Sequence, residues 1–315
     1  MSVSRFKKGV LSKRSFLAGN DYYLPTGTRG LFGGGYHSGF SNTIEYIDIS
    51  SAGNATDFGD LTYTRAQPGA CGSKLRSLWA GGYPETNVID YVTTSTTGNA
   101  TSFGNLSVSR ERLCGTSSHI RGLFIGGWTG STQSNVIDYV TIASVGNATD
   151  FGDLLAIRSE PSACASSTRA LVGGGHGIDN VIQYVTIAST GNATDFGDLT
   201  VSRTKIAACS SSTRGLFGGG ATGSGETTSN VIDYVTIATT GNATDFGDLT
   251  VARYYLASCS TETRGVWGGG NAGSYSNVID YVTIASTGNA TDFGDLGVAT
   301  TGIAGTSNGH GGLVA

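Results

Sequence analysis

The sequence predicts an all-β protein built from six copies of one four-stranded unit. The string GNATDFGDL, which occurs once as GNATSFGNL, is found six times, starting at Gly53, Gly98, Gly146, Gly191, Gly241 and Gly288. These starts lie about 45 to 50 residues apart, a period typical of small antiparallel sheets repeated around a ring. The 50 glycines, 4 prolines and 13% charged residues suit short strands and tight turns. We therefore expect a six-bladed β-propeller of four-stranded antiparallel blades.

The fifth copy shows the expected order of strands within a blade. Residues 205–212 (KIAACSSS) are small, as an inner strand near the ring axis requires, and residues 214–220 (RGLFGGG) form a second strand that its glycines end. A third strand follows in residues 230–237 (NVIDYVTI), whose two apolar faces are typical of a sheet stacked on both sides. The Gly-Asn pair at Gly241 is expected to form a tight turn, after which residues 244–249 make the outer strand.

Closing the ring requires the chain ends to share one blade, because an open stack leaves unpaired edge strands. The last outer strand ends near Leu296, residues 302–309 (GIAGTSNG) align with an inner strand, and the first complete second strand begins at Gly30. We therefore expect the C-terminal segment to supply the inner strand of the first blade. Residues 22–27 also align with an inner strand, which leaves a second arrangement open.

Residues 1–29 lie outside the repeats and are expected to form an N-terminal arm beside a propeller of residues 30–315. The arm has five early basic residues but lacks the apolar segment of a secretory signal, and no stretch of about 20 apolar residues could span a bilayer. With a net charge of −4, the chain is not expected to bind nucleic acid. The arm is interpreted either as a tail lying over the ring or as an anchor onto a larger assembly.

The repeated polar residues are expected to be structural. An acid recurs in the third strand at Asp90, Asp138, Asp233 and Asp280, with Glu45 and Gln183 as substitutes, and an arginine precedes the second strand at Arg76, Arg121, Arg169, Arg214 and Arg264. A buried carboxylate needs a partner, so pairing with an arginine or with backbone amides is expected. The cysteines Cys71, Cys114, Cys164, Cys209 and Cys259 are expected at one equivalent inner-strand position, with Gly305 in the sixth copy, as small apolar fillers rather than disulfides or metal ligands.

No catalytic constellation is expected. The four histidines lie in different repeat contexts, and no serine, histidine and acid recur together. The GGG runs lack the lysine and helix of a phosphate-binding loop. The sequence therefore predicts a protein that is not an enzyme, with no cofactor and no metal site.

The copies differ mainly in two sets of connections, which a four-stranded meander places on one face of the ring. These are the loops after the glycine runs (36–41, 83–86, 128–134, 176–179, 221–229 and 271–276) and the segments that lead into the inner strands. We call this the diversified face, and the opposite one, which is expected to carry the uniform GNAT turns, the constant face. Exposed aromatic side chains suit both sugars and protein surfaces. The candidate binding residues are Tyr36, His37, Phe40, Tyr83, Trp128, His176, Tyr254, Tyr255 and Tyr275. The alternative is that these loops vary because nothing constrains them.

The repeat resembles the kelch propeller family. In one blade an apolar run ends in Gly81 and Gly82, followed by Tyr91 and the outer-strand Phe103, the order of landmarks in a kelch blade. The resemblance covers roughly residues 30–310. It departs in having phenylalanine where the family prefers tryptophan, and in a longer spacing from the tyrosine. The resemblance implies the blade fold but no particular kelch subfamily.

The tandem phrases NVIDYVTIASTGNATDFGDL and STRGLFGGG are also similar to kelch-like repeats in structural proteins of tailed bacteriophages, especially those of marine and cyanobacterial hosts. That resemblance implies a virion protein of a tail, fibre or head, assembled in the host cytoplasm. Its arm would bind other virion proteins, and its variable loops would recognise a host-surface glycan or protein. An intracellular kelch scaffold for protein–protein interaction is the alternative function.

Overall fold

The computed structural model describes residues 27–176, 180–223 and 226–313 and confirms a six-bladed all-β propeller. Each blade is a four-stranded antiparallel sheet, and the inner strands of successive blades contact one another around a central axis. The helical part of the described chain is a 3-10 turn, Gly311–Leu313. Among the described residues, no helix has the length and apolar character needed to cross a bilayer.

Every blade has four strands that follow one another from the ring axis to the outer edge. In that order, blade 1 holds β26 (Ala304–Ser307), β1 (Arg29–Gly33), β2 (Thr43–Asp48) and β3 (Thr56–Asp60), and blade 2 holds β4 (Gly69–Gly72), β5 (Arg76–Ala80), β6 (Val88–Thr93) and β7 (Thr101–Asn105). Blade 3 holds β8 (Cys114–Ser117), β9 (Arg121–Ile125), β10 (Ser134–Thr141) and β11 (Thr149–Arg158), and blade 4 holds β12 (Ser162–Ala165), β13 (Arg169–Gly173), β14 (Val181–Thr186) and β15 (Thr194–Asp198). Blade 5 holds β16 (Ala207–Ser210), β17 (Arg214–Gly218), β20 (Val231–Thr236) and β21 (Thr244–Asp248), with a separate hairpin of β18 (Ala221–Thr222) and β19 (Thr227–Thr228). Blade 6 holds β22 (Ala257–Ser260), β23 (Arg264–Gly268), β24 (Val278–Thr283) and β25 (Thr291–Asp295).

The ring is closed by the C-terminal strand, as expected. β26 pairs antiparallel with β1, with Thr306 opposite Leu31, and so occupies the inner position of blade 1. The alternative in which residues 22–27 fill that position is therefore wrong. Arg29, assigned above to the arm, already belongs to β1. The interpretations of the arm otherwise fall on residues 1–26, which lie outside the described residues.

The core lies between the blades, where the faces of adjacent sheets stack. The second strands are buried almost throughout, and each core cluster combines side chains of two neighbouring blades. Trp267 of blade 6, for example, packs with Leu216 of blade 5 and donates its indole N–H to the Ala207 carbonyl at 3.1 Å. Because every blade supplies half of two such clusters, no blade can bury its apolar faces alone.

The buried acids pair with arginines, but these are not the arginines that precede the second strands. The pairs are Arg65–Asp90, Arg110–Asp138, Arg203–Asp233 and Arg253–Asp280, and all eight side chains are buried. Each of these arginines lies on the connection into a blade and reaches that blade's third strand. By contrast, Arg214 lies over the ring of Tyr234, 4.8 Å from its centroid, and donates to the carbonyl of Ile284 in the next blade. Both kinds of arginine are therefore structural.

The Gly-Asn pairs do not form the tight turns predicted for them. In blade 5 the turn lies at Thr236–Thr239, and the following residues Gly241 to Ala243 run along the outer strand of blade 4. The Asn242 side chain accepts a hydrogen bond from the Asp198 N–H at 3.1 Å. The same contact recurs at Asn54, Asn99, Asn147, Asn192 and Asn289. Each outer strand is thus covered by the next blade, which removes an open sheet edge.

The cysteine prediction is partly wrong. Four cysteines share one register position in the inner strand, opposite the middle of the second strand: Cys71, Cys164, Cys209 and Cys259. Cys114 instead lies two residues earlier in its inner strand, opposite Ile125. Thr116 and Thr306 hold the equivalent position in blades 3 and 1. All five thiols are free and buried, and burial raises the pKa of Cys164 to about 12. They are packed as small side chains rather than exposed as nucleophiles.

The constant face is the end at which the chain leaves the ring. After β26, residues 308–313 cross the axis on this face, where the His310 ring lies 3.2 Å from the Gly72 carbonyl and 3.3 Å from the Ser117 hydroxyl. Gly27, the first described residue, lies beside this segment. The C-terminal residues therefore cover the channel on the constant face, while its other end opens on the diversified face.

Candidate functional site

The two variable sets of connections lie together on the diversified face. Five of the six loops after the glycine runs form backbone bridges with the segment that leads into an inner strand, and in blade 4 the His176 N–H donates to the Ser159 carbonyl at 2.7 Å. The bridges join Tyr36 to Thr301, Tyr83 to Ala66, Trp128 to Glu111, Ala221 to Thr204 and Asn271 to Tyr254. The loops are therefore held by backbone contacts, whereas their side chains are free to differ.

Four of the candidate aromatic residues form a continuous strip, which we call the aromatic ridge. The rings follow one another as Tyr275, Tyr36, Phe40 and Tyr83, with centroid distances of 6.0, 5.3 and 5.2 Å and edge-to-face geometry. They come from blades 6, 1 and 2 in turn. Tyr83 and Tyr275 are 49% and 40% exposed. An exposed strip of packed rings offers a large contact area that loses little side-chain entropy on binding.

The other candidates lie outside the ridge. His37 is within 3.0 Å of the Ser38 hydroxyl, Trp128 is half-buried, and His176 is exposed. Residues 177–179 and 224–225 of the variable loops lie outside the described residues. Tyr254 and Tyr255 pack against each other near the axis, with ring centroids 5.6 Å apart. The structure thus separates the predicted set into a ridge, three isolated side chains and an axial pair.

The mouth of the channel is a closed ring of six backbone hydrogen bonds, one from each blade. Its members are Gln67, Arg112, Glu160, Lys205, Tyr255 and Gly302, each with φ between +53° and +62°. Donors and acceptors follow in a circle: Gln67 N to Gly302 O (2.6 Å), Arg112 N to Gln67 O (3.0 Å), Glu160 N to Arg112 O (2.8 Å), Lys205 N to Glu160 O (3.3 Å), Tyr255 N to Lys205 O (3.0 Å) and Gly302 N to Tyr255 O (2.9 Å). We call these residues the axial ring.

The side chains of the axial ring form a polar cluster. The buried Glu160 carboxylate accepts hydrogen bonds from the Tyr255 hydroxyl and, at 2.9 Å, from the Thr204 hydroxyl. Arg112 lies between two acids, with Nη1 3.6 Å from Glu160 and Nε 3.2 Å from Glu111. Burial and the adjacent Glu160 carboxylate raise the pKa of Tyr255, so its phenol stays protonated.

Lys205 completes this cluster. Its ammonium pairs with Glu226 and lies 5.1 and 4.8 Å from the ring centroids of Tyr254 and Tyr255. Burial raises the pKa of the nearby Glu111 carboxyl, and Arg112 opposes that change. Among the described residues, no group of three or more His, Cys, Asp or Glu side chains is arranged to hold a metal ion.

The structure adds four candidate residues that were not predicted from the sequence: Gln67, Arg112, Glu160 and Lys205. The connections that carry them were expected to vary, but non-repeated charged groups were not expected to gather at the axis. A signal was present, because every member of the axial ring lies two residues after the repeated Arg65, Arg110, Arg158, Arg203 or Arg253, or after Thr300. At that offset the six copies carry six different residues.

Neither a comparison with protein-family models nor a search of curated proteins finds a match to this chain.

Proposed function

We propose that this protein is a non-enzymatic recognition module that binds its ligand with the diversified face. A propeller of this kind is consistent with a recognition or interaction role. The observation that carries the proposal is the contrast between the two faces. The constant face has near-identical turns and both described ends of the chain, whereas the other face has the aromatic ridge and the unequal axial ring.

The biological setting that we propose is the virion of a tailed bacteriophage. The support is the similarity of the tandem repeats to phage kelch-like proteins, together with the position of Gly27, the first described residue, on the constant face. An arm attached there to other virion proteins would point the diversified face outward, toward a host-surface ligand. The proposed role is structural or host attachment on a tail, fibre or head, with assembly in the host cytoplasm.

The first test measures binding of the labelled full chain to a panel of bacterial cells that includes cyanobacteria. Phe40→Ala and Tyr83→Ala each remove one aromatic ring from the ridge, and each is expected to reduce binding at least tenfold. Val145→Ala is the matched control. Val145 is an apolar residue of the constant face that is 57% exposed, so this variant should bind like the parent chain. Equal binding by all three variants would contradict the proposal.

The setting is tested separately. A gene for a tail, baseplate or capsid protein beside this one, and the chain itself in purified phage particles, are the expected findings. A cellular gene neighbourhood together with stable capture of a cytosolic protein would instead favour the intracellular scaffold.

A further inference from the structure

Two turns of the constant face differ in chemistry from their equivalents in the other blades. In each turn between an inner and a second strand, the residue before the second-strand arginine is exposed. Four copies have threonine there: Thr28, Thr168, Thr213 and Thr263. The adjacent blades 2 and 3 have Leu75 and Ile120, and each of these side chains is 53% exposed. Because four blades are built with threonine at this position, the fold itself does not require an apolar residue there.

A groove lies between these two turns. It measures about 160 Å³ and is lined by Ser73, Lys74, Leu75, Arg76, His119 and Ala143. Ile142, the residue before Ala143, joins its two sides, because its N–H donates to the Ile120 carbonyl at 2.9 Å and its carbonyl accepts from Arg76 at 2.9 Å. The two apolar side chains therefore belong to one patch, and contiguous exposed apolar patches are typical of interaction sites.

The same two turns are also basic. The residue before Leu75 is Lys74, and the residue before Ile120 is His119. The equivalent residues of blades 4, 5 and 6 are Ser167, Ser212 and Glu262. An occupant with apolar side chains and a negative charge would complement this groove, whereas a basic occupant would be repelled.

The chain enters the propeller beside the groove. Gly27 is the first described residue, and Arg29 donates from Nη1 to the Thr94 carbonyl at 3.1 Å. Thr94 in turn donates its N–H to the Leu75 carbonyl at 2.9 Å. An extended chain spans about 3.3–3.6 Å per residue, so residues 21–24 can lie at distances of up to about 20 Å from Gly27. These residues can therefore reach the groove.

The sequence of residues 21–24 has the required chemistry. It reads DYYL, in which two aromatic residues and a leucine follow an acid. The five basic residues of the arm all lie within residues 5–14. Although that part of the arm also has apolar residues, its positive charge would be opposed by Lys74 and Arg76. The acidic and aromatic end of the arm is the better match.

We infer that residues 21–24 of this chain occupy the groove. Their two tyrosines and their leucine would cover Leu75 and Ile120, and their carboxylate would lie near Lys74. The basic residues 5–14 would then be directed away from the groove and could bind another protein. This inference goes beyond the proposed recognition function, which concerns the opposite face, and either can fail without the other.

The test is chymotrypsin cleavage of the full chain after Tyr22 and Tyr23, followed by mass spectrometry. The double variant Leu75→Thr/Ile120→Thr gives blades 2 and 3 the residue that the other blades carry, so it should keep the fold, which circular dichroism checks. Its tyrosines should be cut at least tenfold faster than those of the parent, because the groove no longer protects them. Val201→Thr is the matched control. Val201 is an apolar residue after β15 that is 44% exposed, so this variant should be cut at the parent's rate.

A cross-linking experiment tests the position directly. Tyr23→Cys combined with Leu75→Cys should form a disulfide under mild oxidation, whereas Tyr23→Cys combined with Thr213→Cys, at the equivalent position of blade 5, should not. The five native thiols are buried and should not compete. Equal cleavage of the parent and the double variant, or equal cross-linking of the two cysteine pairs, would overturn the inference. A parent dimer that dissociates in the double variant would also overturn it, because the groove would then join two copies of the chain.

Discussion

The buried pair Arg203–Asp233 provides a quantitative test of how the connection into a blade is anchored to that blade's third strand. Asp233 Oδ2 lies 2.6 Å from Arg203 Nη2, and both side chains are fully buried. Arg203 also donates to the carbonyls of Gly219 at 2.7 Å and Val231 at 2.5 Å. Asp233→Ala would leave the guanidinium with neutral acceptors and no counter-charge. Removing one partner of a buried pair costs about 3–5 kcal/mol, which is the expected loss in free energy of unfolding.

The chain supplies its own comparison for this change. Blade 4 has Gln183 where blade 5 has Asp233, and the Gln183 carbonyl accepts from the Leu155 N–H at 2.8 Å. Asp233→Gln should therefore cost less than Asp233→Ala. Asp245→Ala, at an exposed acid of the adjacent outer strand, is the control and should stay within about 0.5 kcal/mol of the parent.

The assay is guanidinium unfolding followed by circular dichroism, with the slope compared between variants. Arg203→Met combined with Asp233→Leu should cost less than Asp233→Ala alone, because no charge is left buried. A loss below about 1 kcal/mol for Asp233→Ala at an unchanged slope would refute the reasoning, since it would show that the buried arginine needs no partner.

Two further predictions concern the channel end and the outer edges. Burial lowers the pKa of His310 to about 4, against 6.5 when unfolded, so between these values the unfolded chain binds a proton that the folded chain does not. Stability present at neutral pH should thus fall by about 1–3 kcal/mol as the pH drops from 6.5 to 4, and His310→Asn should show a smaller fall in unfolding midpoint over that window. At Gly152, φ is +143° and an added Cβ would lie 2.5 Å from the Gly191 carbonyl, whereas at Gly146 nothing lies within 4 Å. Gly152→Ala should lower the thermal midpoint clearly and Gly146→Ala only slightly, and equal midpoints would count against the close approach of the blades.

Much of the architecture could be predicted because it repeats along the chain. The GNAT strings fixed the number of blades, and the order of small, glycine-ended and doubly apolar segments predicted the strands. The alignment of residues 302–309 with an inner strand predicted the closing strand, which the pairing of Thr306 with Leu31 confirms. These features depend on local patterns, which recur whenever the same short segment recurs.

The remaining features depend on which blade lies beside which. That Arg203 rather than Arg214 meets Asp233 follows from how the connection into blade 5 packs on that blade's third strand, and that Asn242 covers the edge of blade 4 follows from packing between blades. Neither contact is visible in a local sequence pattern. The ridge joins Tyr275 to Tyr36 across the closure, although the two residues are far apart along the chain. Sequence alone therefore determined the repeat, the strands and the variable loops. Only the closed ring decided which variable side chains share a surface, because closure brings distant copies into contact.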